Sequence, residues 1–474
     1  MLVAAPAAAR TLGSVEFEPC TLTAEGRPTS LAAECARLEV PENPQAPDGR
    51  RLSLSMALVP ASGPRPHEDL VVFLAGGPGQ AALDSFPLIE PAFERILRDR
   101  HVLLVDSRGT GGSNALRCPF DDAISAADMT REALERHARD CLERIDDRAD
   151  PRWYSTRDAV RDLETVRAAL GAPMLNLVGG SYGTRVALSY LAAYPQSVRS
   201  VVLDGVVPQD LALGQDHARN LENALRKLSD HCSADAACRE RHGDVLARLG
   251  QLRRQLSTEP IEVELRHPVT HEPRRERLDR YALAGVARMF PYSPQAAVLL
   301  PLLVDEALAG RPQPLVAQSL LLTEGLDERI AHGMQLSVMC AEDAPLLELR
   351  PEDADTFLGN SLIELAQAQC AVWPHRAFDP AFKQPLRSDV PALLLSGEWD
   401  PVTPPAYAER VLQHLSNARH LVARGQGHIV IGAGCMPKLA AEFVDTLDPA
   451  ALDTGCLALL GPPPVWLSFQ GPQP

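Results

Sequence analysis

The stretch Gly179-Gly180-Ser181-Tyr182-Gly183 places one serine in a glycine-rich run between two segments of different hydrophobic pattern. The preceding segment, 174–178, is short and mostly apolar, which is typical of a buried strand. The following segment, 184–194, carries apolar residues at helical spacing and ends at Pro195. A strand, a tight turn and a helix form the setting in which G-x-S-x-G presents a nucleophile. The sequence therefore predicts that Ser181 lies at a sharp turn, where the glycines avoid the clash that a Cβ would cause. A glycine-rich turn that merely contains serine is the alternative.

A second glycine-rich loop, Ala75-Gly76-Gly77-Pro78-Gly79, follows the apolar segment 70–74, which we predict to be a buried strand. Bare backbone N–H groups in such a loop can approach a substrate carbonyl and stabilise the charge that develops on its oxygen. We expect Gly76 or Gly77 to donate, because Pro78 has no N–H. The N–H of Tyr182 would complete this oxyanion hole. An ordinary turn, which Gly and Pro also form, is the alternative.

An acid and a base that could serve Ser181 follow it in the chain. Asp400 comes directly after an apolar strand-like segment, and His428 lies on a glycine-flanked loop after the last such segment. Glu398 and Asp204 are the alternative acids. Asp204 ends the strand-like segment after the predicted helix. Asp400 is favoured because its loop precedes the histidine loop, in the order serine, acid, histidine.

Six motifs spread over most of the chain carry a resemblance to a known family: Ala75-Gly76-Gly77-Pro78-Gly79, Asp106-Ser107-Arg108-Gly109-Thr110-Gly111-Gly112-Ser113, Gly179-Gly180-Ser181-Tyr182-Gly183, Asp204-Gly205-Val206, Asp400-Pro401-Val402-Thr403-Pro404 and Gly425-Gln426-Gly427-His428. With them the chain resembles the tripeptidyl aminopeptidase-like branch of the α/β-hydrolases, which is related to the prolyl iminopeptidases. The prolyl iminopeptidases usually have His at the position of Ala75, so this residue favours the tripeptidyl branch.

The resemblance implies a serine hydrolase with Ser181, Asp400 and His428 as its catalytic triad. Members of this group release residues or short peptides, including tripeptides, from free N-termini, and some relatives are carboxylesterases. A carboxylesterase acting on small esters is therefore the alternative function. An acyltransferase and a catalytically silent binding module would share the fold, and the complete set of triad candidates argues against the silent module.

The resemblance and the strand pattern together predict an α/β-hydrolase fold, a mostly parallel sheet flanked by helices. The strand pattern stops after 208 and returns at 391, and the residues between are rich in helix formers with one strand-like segment at 261–265. We therefore expect a large, mainly helical cap inserted after the sixth strand, shaping the substrate pocket. The expected division is an N-terminal segment 1–36, a first core part 37–208, a cap 209–390 and a C-terminal core part with a TAP-like tail, 391–474.

An aminopeptidase needs a partner for the ammonium group of its substrate, and a carboxylate is the usual choice. Glu342 and Asp343 follow Cys340 in the predicted cap. We expect Glu342, with Asp343 second, to bind the free amine, and a solvated acidic turn is the alternative. Asp106 and Arg108 are expected instead to hold their own loop in place.

The composition and the motifs limit the classes of partner that we expect. The chain has 46 basic and 62 acidic residues and a formal net charge of −16, which argues against nucleic acid as a partner. No segment approaches the length of a membrane-spanning helix. The cysteine and histidine spacings match no metal site, and no phosphate loop or nucleotide fingerprint stands in a convincing setting, so we expect neither metal nor cofactor. The expected partner is a peptide with a free N-terminus or a small ester. The oligomeric state stays open, with a monomer as the default.

Ten cysteines indicate where the protein works: Cys20, Cys35, Cys118, Cys141, Cys232, Cys238, Cys340, Cys370, Cys435 and Cys456. In chain order they form five neighbouring pairs, although ten cysteines allow about 945 pairings, so the connectivity stays open. An even, dispersed set favours an oxidising compartment. The apolar residues 1–9 are similar to the end of a secretory signal but lack its basic region, and a frayed tail is the alternative. We expect a periplasmic or secreted protein, with a cytoplasmic protein carrying reduced thiols as the alternative.

Overall fold

A computed structural model describes residues 9–24, 29–118, 130–327 and 329–472. The strands in these ranges are β1 Arg10–Leu12, β2 Val15–Thr23, β3 Ser30–Pro41, β4 Arg51–Val59, β5 Leu70–Leu74, β6 Val102–Val105, β7 Leu175–Gly180, β8 Val198–Asp204, β9 Ile261–Arg266, β10 Pro273–Leu278, β11 Ala392–Gly397 and β12 Ala418–Ala423. The helices are α1 Ala82–Phe93, α2 Arg131–Ile145, α3 Thr156–Ala169, α4 Tyr182–Ala193, α5 His217–Ala234, α6 Ala236–His242, α7 Val245–Thr258, α8 Arg280–Met289, α9 Pro294–Ala297, α10 Leu300–Leu308, α11 Gln313–Asp327, α12 His332–Glu342, α13 Ser361–Cys370, α14 Pro405–Leu412 and α15 Met436–Thr446.

A ten-stranded sheet organises the described chain, in the order β1-β2-β3-β4-β6-β5-β7-β8-β11-β12. The strands from β6 to β12 in this order pair in parallel, whereas β1 to β4 pair antiparallel with one another and β4 pairs antiparallel with β6. The parallel strands bring their carboxyl ends to one edge, where the loops that follow them meet. The predicted α/β-hydrolase fold is confirmed.

Helices cover both faces of the parallel strands, which explains why these strands read as continuous apolar segments. In β5, Val72 packs into the hydrophobic cluster on one face, whereas Val71 and Phe73 pack into the cluster on the other. Every residue of β5, β6 and β11 is buried. The apolar segments therefore locate the central strands correctly.

The N-terminal strands extend the same sheet. β1, β2 and most of β3 come from the residues that the sequence division assigns to a separate N-terminal segment, 1–36. Four strands therefore precede β5. The helical insertion follows the eighth strand in chain order, whereas the sequence pattern predicts it after the sixth strand. These strands alternate exposed and buried positions, as Val15 and Phe17 alternate with Glu16 and Glu18, so they lack the long apolar segments of the central strands.

The chain between β8 and β11 is mainly helical. Its described part contains α5 to α13 and one antiparallel hairpin, β9–β10, which begins at the strand-like segment noted at 261–265. Many of its apolar side chains form their own buried cluster, which includes Leu225, Leu249 and Leu300. None of the helices in the described ranges has the length and apolar character needed to cross a membrane.

Five disulfides join the cysteines as neighbours in chain order. The pairs are Cys20–Cys35, Cys118–Cys141, Cys232–Cys238, Cys340–Cys370 and Cys435–Cys456. The first links β2 to β3, and Cys340–Cys370 links α12 to α13 in the helical insertion.

Candidate active site

Ser181 lies between the end of β7 and the start of α4. Its φ of 54° and ψ of −124° place it in a region that residues with a Cβ rarely adopt, which is the strained turn expected of a nucleophile elbow. The flanking glycines are required by space. A Cβ at Gly179 would lie 2.5 Å from the carbonyl oxygen of Gly183, and one at Gly183 would lie 2.1 Å from that of Leu74. The predicted strand, turn and helix are therefore present around this serine.

His428 and Asp400 form a hydrogen-bonded pair at the same edge of the sheet. Asp400 follows β11, His428 follows β12, and His428 Nδ1 lies 2.8 Å from Asp400 Oδ2. The other carboxylate oxygen accepts the N–H groups of Val402 and Thr403, both at 2.8 Å, and the Thr403 hydroxyl donates to Oδ2 at 2.7 Å. These contacts fix the carboxylate, so that it holds the imidazole with its proton on Nδ1. Nε2 is then the nitrogen that can act as a base.

The pKa values of the pair move in opposite directions. Burial alone would raise the pKa of Asp400, but His428 and the hydrogen bonds from Thr403 hold it below its usual value. Burial alone would lower the pKa of His428, but the Asp400 carboxylate raises it above its usual value. The pair therefore favours a charged imidazolium, the form that His428 takes when it accepts a proton.

The two alternative acids have other partners. Asp204 accepts the N–H of Val430 at 2.8 Å and that of Ile431 at 2.7 Å, and burial raises its pKa to about 6. Glu398 accepts the N–H of Gly425 at 2.8 Å. Asp204 thus holds the chain just after His428, and Glu398 holds the chain before it. Of the three acids weighed from the sequence, Asp400 is the one hydrogen-bonded to the histidine ring.

The oxyanion loop passes directly beside the serine. A Cβ added at Gly76 would lie 3.2 Å from the Cβ of Ser181, and Gly76, Gly77 and Tyr182 all line the cavity that contains Ser181. Tyr182 is the first residue of α4, so its N–H has no acceptor within the helix and lies at the positive end of the helix dipole. The assignment of these three residues as oxyanion donors stays a prediction, with Gly76 the glycine that lies against the serine.

Asp106 and Arg108 hold their loop, as predicted. Arg108 makes a two-pronged ion pair with Asp162, with N–O distances of 2.7 and 2.6 Å. Asp106 accepts the N–H groups of Leu83 and Gly112 at 3.0 and 2.9 Å. Neither side chain is available for substrate.

The structure corrects the prediction for the amine anchor. Asp343 is fully buried, pairs with Arg185 at 3.0 Å and Lys383 at 2.6 Å, and accepts the N–H of Leu213. Glu342 is also buried, so the alternative of a solvated acidic turn is wrong as well. Neither carboxylate is among the residues that line the cavity at Ser181. The sequence around Glu342 and Asp343 does not indicate that these side chains are buried, because their cationic partners come from distant parts of the chain.

Glu342 is tied to the residue after the serine. Its two carboxylate oxygens accept the N–H and the hydroxyl of Thr156, each at 2.7 Å. The Thr156 hydroxyl in turn lies 2.6 Å from the Tyr182 hydroxyl. Burial raises the pKa of Glu342 to about 7, despite the nearby Arg185. Glu342 therefore braces the start of α4 from behind the cavity wall.

The cavity shared by Ser181 and His428 has a volume of about 580 Å³ and a mostly apolar wall. The sheet side contributes Phe73, Leu88 and Ile89, and the helical insertion contributes Met339 and Leu362. A volume of this size suits a small organic ligand or a short peptide segment.

Its polar wall residues were not predicted, because they lie outside any recognisable motif. They include Gln80, Gln369, His217 and Arg288. Burial, with Arg288 nearby, lowers the pKa of His217 to about 3, so this imidazole is neutral at physiological pH. The described residues contain no group of three or more His, Cys, Asp or Glu side chains arranged to hold a metal ion.

Two family models match the chain. The model described as "alpha/beta hydrolase fold" matches residues 69–237, and the model described as "TAP-like protein" matches residues 355–456. The first range contains Ser181 and the oxyanion loop, and the second contains Asp400 and His428.

Similar proteins align over most of the chain. The serine protease Hip1 of Mycobacterium tuberculosis is 26% identical, with 91% of this chain and 88% of the relative aligned. The tripeptidyl aminopeptidase of Streptomyces lividans is 24% identical, with 91% of this chain and 85% of the relative aligned. Among solved structures, the proline iminopeptidase of Mycobacterium smegmatis aligns at 16% identity and a TM-score of 0.41, covering 88% of this chain and 100% of that one. The chain is a serine hydrolase with the α/β-hydrolase fold, and its C-terminal region is similar to the TAP-like proteins.

Proposed function

We propose that this serine hydrolase is an exported aminopeptidase that releases residues or short peptides, tripeptides among them, from free N-termini. The observation that carries the proposal is the hydrogen-bonded His428–Asp400 pair in one cavity with Ser181, covered by residues of the helical insertion. A cavity beneath a cap favours a chain end over the middle of a long chain. The names of the two aligned relatives, a serine protease and a tripeptidyl aminopeptidase, support a peptide substrate.

The reaction follows from these positions. Ser181 Oγ attacks the scissile carbonyl carbon while His428 Nε2 takes its proton, and Asp400 stabilises the imidazolium. The N–H groups of Tyr182 and of Gly76 or Gly77 bind the oxyanion. His428 then gives its proton to the leaving amine as the C–N bond breaks. Water, activated by the same imidazole, releases the acyl group and restores the serine hydroxyl.

The free amine of the substrate needs acceptors other than Glu342 and Asp343. Gln80 and Gln369 line the cavity, and within the described residues neither side-chain amide has a hydrogen-bond partner. Gln80 Oε1 lies 2.9 Å from the position of a Cβ on Gly76, which places it beside the oxyanion loop. Both amide oxygens can accept from an ammonium group. We assign to these two glutamines the amine-binding role that was predicted for Glu342 and Asp343.

One observation favours the second candidate, a carboxylesterase. Asp204 is the carboxylate that lines the described part of the cavity, and its oxygens already accept backbone N–H groups. A mostly apolar wall without a free carboxylate also suits a small ester.

Export is supported by the five disulfides, because bonds of this kind persist in oxidising compartments. A periplasmic or secreted location fits them. Fractionation of the producing cells tests the location, and recovery of the protein in the cytoplasm with free thiols would contradict it.

Hydrolysis of three matched substrates tests the activity: Ala-Ala-Ala-p-nitroanilide, its N-acetylated form and p-nitrophenyl butyrate. The proposal expects cleavage of the free peptide, little cleavage of the acetylated one, and loss of both in Ser181→Ala. Ser189→Ala is the matched control, because Ser189 is a buried serine on α4 whose hydroxyl has no hydrogen-bond partner within the described part of the chain. Rapid ester turnover with neither peptide cleaved would replace the aminopeptidase with the esterase.

A further inference from the structure

Arg288 is a cation in the wall of the candidate active site, and it has no anionic partner among the residues that the structure describes. It lies in the last turn of α8, is half-buried, and lines the cavity that contains Ser181 and His428. Across the described ranges, no carboxylate forms an ion pair or hydrogen bond with it. Most other half-buried arginines of this chain, such as Arg199 and Arg350, do have such partners. An arginine left unpaired in a largely apolar wall points to an anion supplied from outside.

The position of Arg288 is fixed relative to His428 through the chain that follows α8. The backbone N–H of His428 donates to the carbonyl of Tyr292 at 3.0 Å. The Tyr292 ring also packs edge-on against the imidazole, with centroids 5.1 Å apart. Arg288 precedes Tyr292 by four residues and is close enough to lower the pKa of the largely buried His217. Arg288, His217 and Tyr292 therefore form the part of the wall beside His428.

This part of the wall faces the leaving group. His428 must deliver its proton to the atom that leaves, so the side chains beside His428 flank the leaving half of the substrate. A guanidinium presents a fork of N–H donors that matches both oxygens of a carboxylate. Its attraction for that carboxylate is stronger where apolar neighbours exclude water.

We propose that Arg288 forms a carboxylate-binding subsite for the leaving half of the substrate, so that the enzyme prefers leaving groups with a negative charge. This inference rests on one part of the proposed function, namely that the substrate is cleaved at Ser181. The carboxylate can belong to an Asp or Glu side chain just after the cleaved bond, or to the α-carboxylate of a single leaving amino acid.

Two pairs of substrates that differ only in charge test the subsite. The first pair joins Ala-Ala-Ala to 4-aminobenzoate or to 4-aminobenzamide, and the second joins it to 4-hydroxybenzoate or to 4-hydroxybenzamide. We expect kcat/KM to favour the carboxylate member of each pair by about 10- to 100-fold, the size of a charge-assisted hydrogen bond. Arg288→Gln should abolish this preference, because its loss of kcat/KM should be larger for the carboxylate member of each pair than for the neutral member.

Arg280→Gln is the matched control, because Arg280 is an exposed arginine of the same helix that stacks on Tyr281. It should retain the preference. A wild-type enzyme without the preference, or an Arg288→Gln enzyme that loses both members equally, would overturn the subsite. Equal loss would mean that Arg288 only stabilises the end of α8.

The design separates failure of the subsite from failure of the proposed function. If neither anilide is cleaved but the esters keep a preference that Arg288→Gln removes, the aminopeptidase fails and the subsite stands. Cleavage of both anilides at equal rates leaves the aminopeptidase and overturns the subsite. Two pairs of peptides then identify the source of the carboxylate. A higher kcat/KM for Ala-Ala-Ala-Asp-amide than for its Asn analogue indicates a side-chain carboxylate. A higher kcat/KM for Ala-Ala-Ala-Ala than for its C-terminal amide indicates the α-carboxylate of the leaving residue. If these peptides are cleaved, a preference in neither pair would also overturn the proposal.

Discussion

Replacing Asp400 with Asn should disable the enzyme through the tautomer of His428. Asp400 Oδ1 accepts two backbone N–H groups, so the amide oxygen of Asn takes this place. The amide NH₂ then faces His428 Nδ1, where Asp400 Oδ2 lies 2.8 Å away. It donates to Nδ1 and drives the imidazole proton to Nε2, so that His428 can no longer accept the proton of Ser181.

The expected loss in kcat is about 10⁴-fold, which corresponds to about 5 kcal/mol of activation free energy. Asp204→Asn is the matched change at the neighbouring acid. An Asn oxygen in the place of Asp204 Oδ2 still accepts the N–H groups of both Val430 and Ile431, but without the negative charge, and the 3.0 Å bond from the Val430 N–H to Oδ1 is lost. The free energy of unfolding should therefore fall by about 1.5–3 kcal/mol and kcat by less than about 100-fold.

The assay measures kcat on a tripeptide anilide for both variants at pH 8, with circular dichroism and urea unfolding as checks on the fold. A larger kinetic loss in Asp204→Asn than in Asp400→Asn, with both proteins folded, would contradict the role assigned to Asp400. A loss below about tenfold in Asp400→Asn would contradict it too, because that is far less than removal of a triad member costs.

Three further changes probe the surroundings of the site. Burial raises the pKa of Glu342 to about 7, from an ordinary value of 4.5. Between these two pH values the folded chain holds a proton on Glu342 that the unfolded chain has released, so the free energy of unfolding falls as the pH rises. Glu342→Gln should make this fall less steep by up to about 1.4 kcal/mol per pH unit, as measured by urea unfolding between pH 5 and 7. An unchanged slope would contradict this role of Glu342. Replacing Cys340 and Cys370 together by Ser opens a bond between positions 30 residues apart and should cost about 3–4 kcal/mol of unfolding free energy, whereas a change below about 1 kcal/mol would argue that the bond does not form. In Gly76→Ala the methyl would lie 3.2 Å from Ser181 Cβ, so kcat should fall by about 10- to 100-fold with an unchanged melting temperature, and full activity would remove this loop from the oxyanion hole.

The sequence predicts best what is decided locally. The elbow at Ser181 follows from the strand before it, the helix after it and glycines that tolerate close contact, all within a few residues. The central strands can also be predicted from the sequence, because both of their faces are buried and their residues are therefore mostly apolar. The edge strands β2 and β3 are harder to recognise, because only every second side chain is buried.

Contacts between distant segments are harder to predict from the sequence. Asp204 ends β8 and Asp400 follows β11 at the same edge of the sheet, and only the paths of the loops decide which of the two acids meets His428. Glu342 was expected in the substrate pocket, but its position behind the wall depends on contacts with Thr156, far away in the chain. Arg288 lies in an ordinary helix, and nothing in its neighbourhood in the sequence marks it as a wall residue.

Covalent labelling tests most directly whether Ser181 is the nucleophile of a working triad. The chain is incubated with a fluorophosphonate, digested, and analysed by mass spectrometry. We expect one label per chain, on the peptide that contains Ser181, with residual activity falling in step with labelling and much slower labelling in Asp400→Asn. No label, or a label on another serine that abolishes activity, would contradict it.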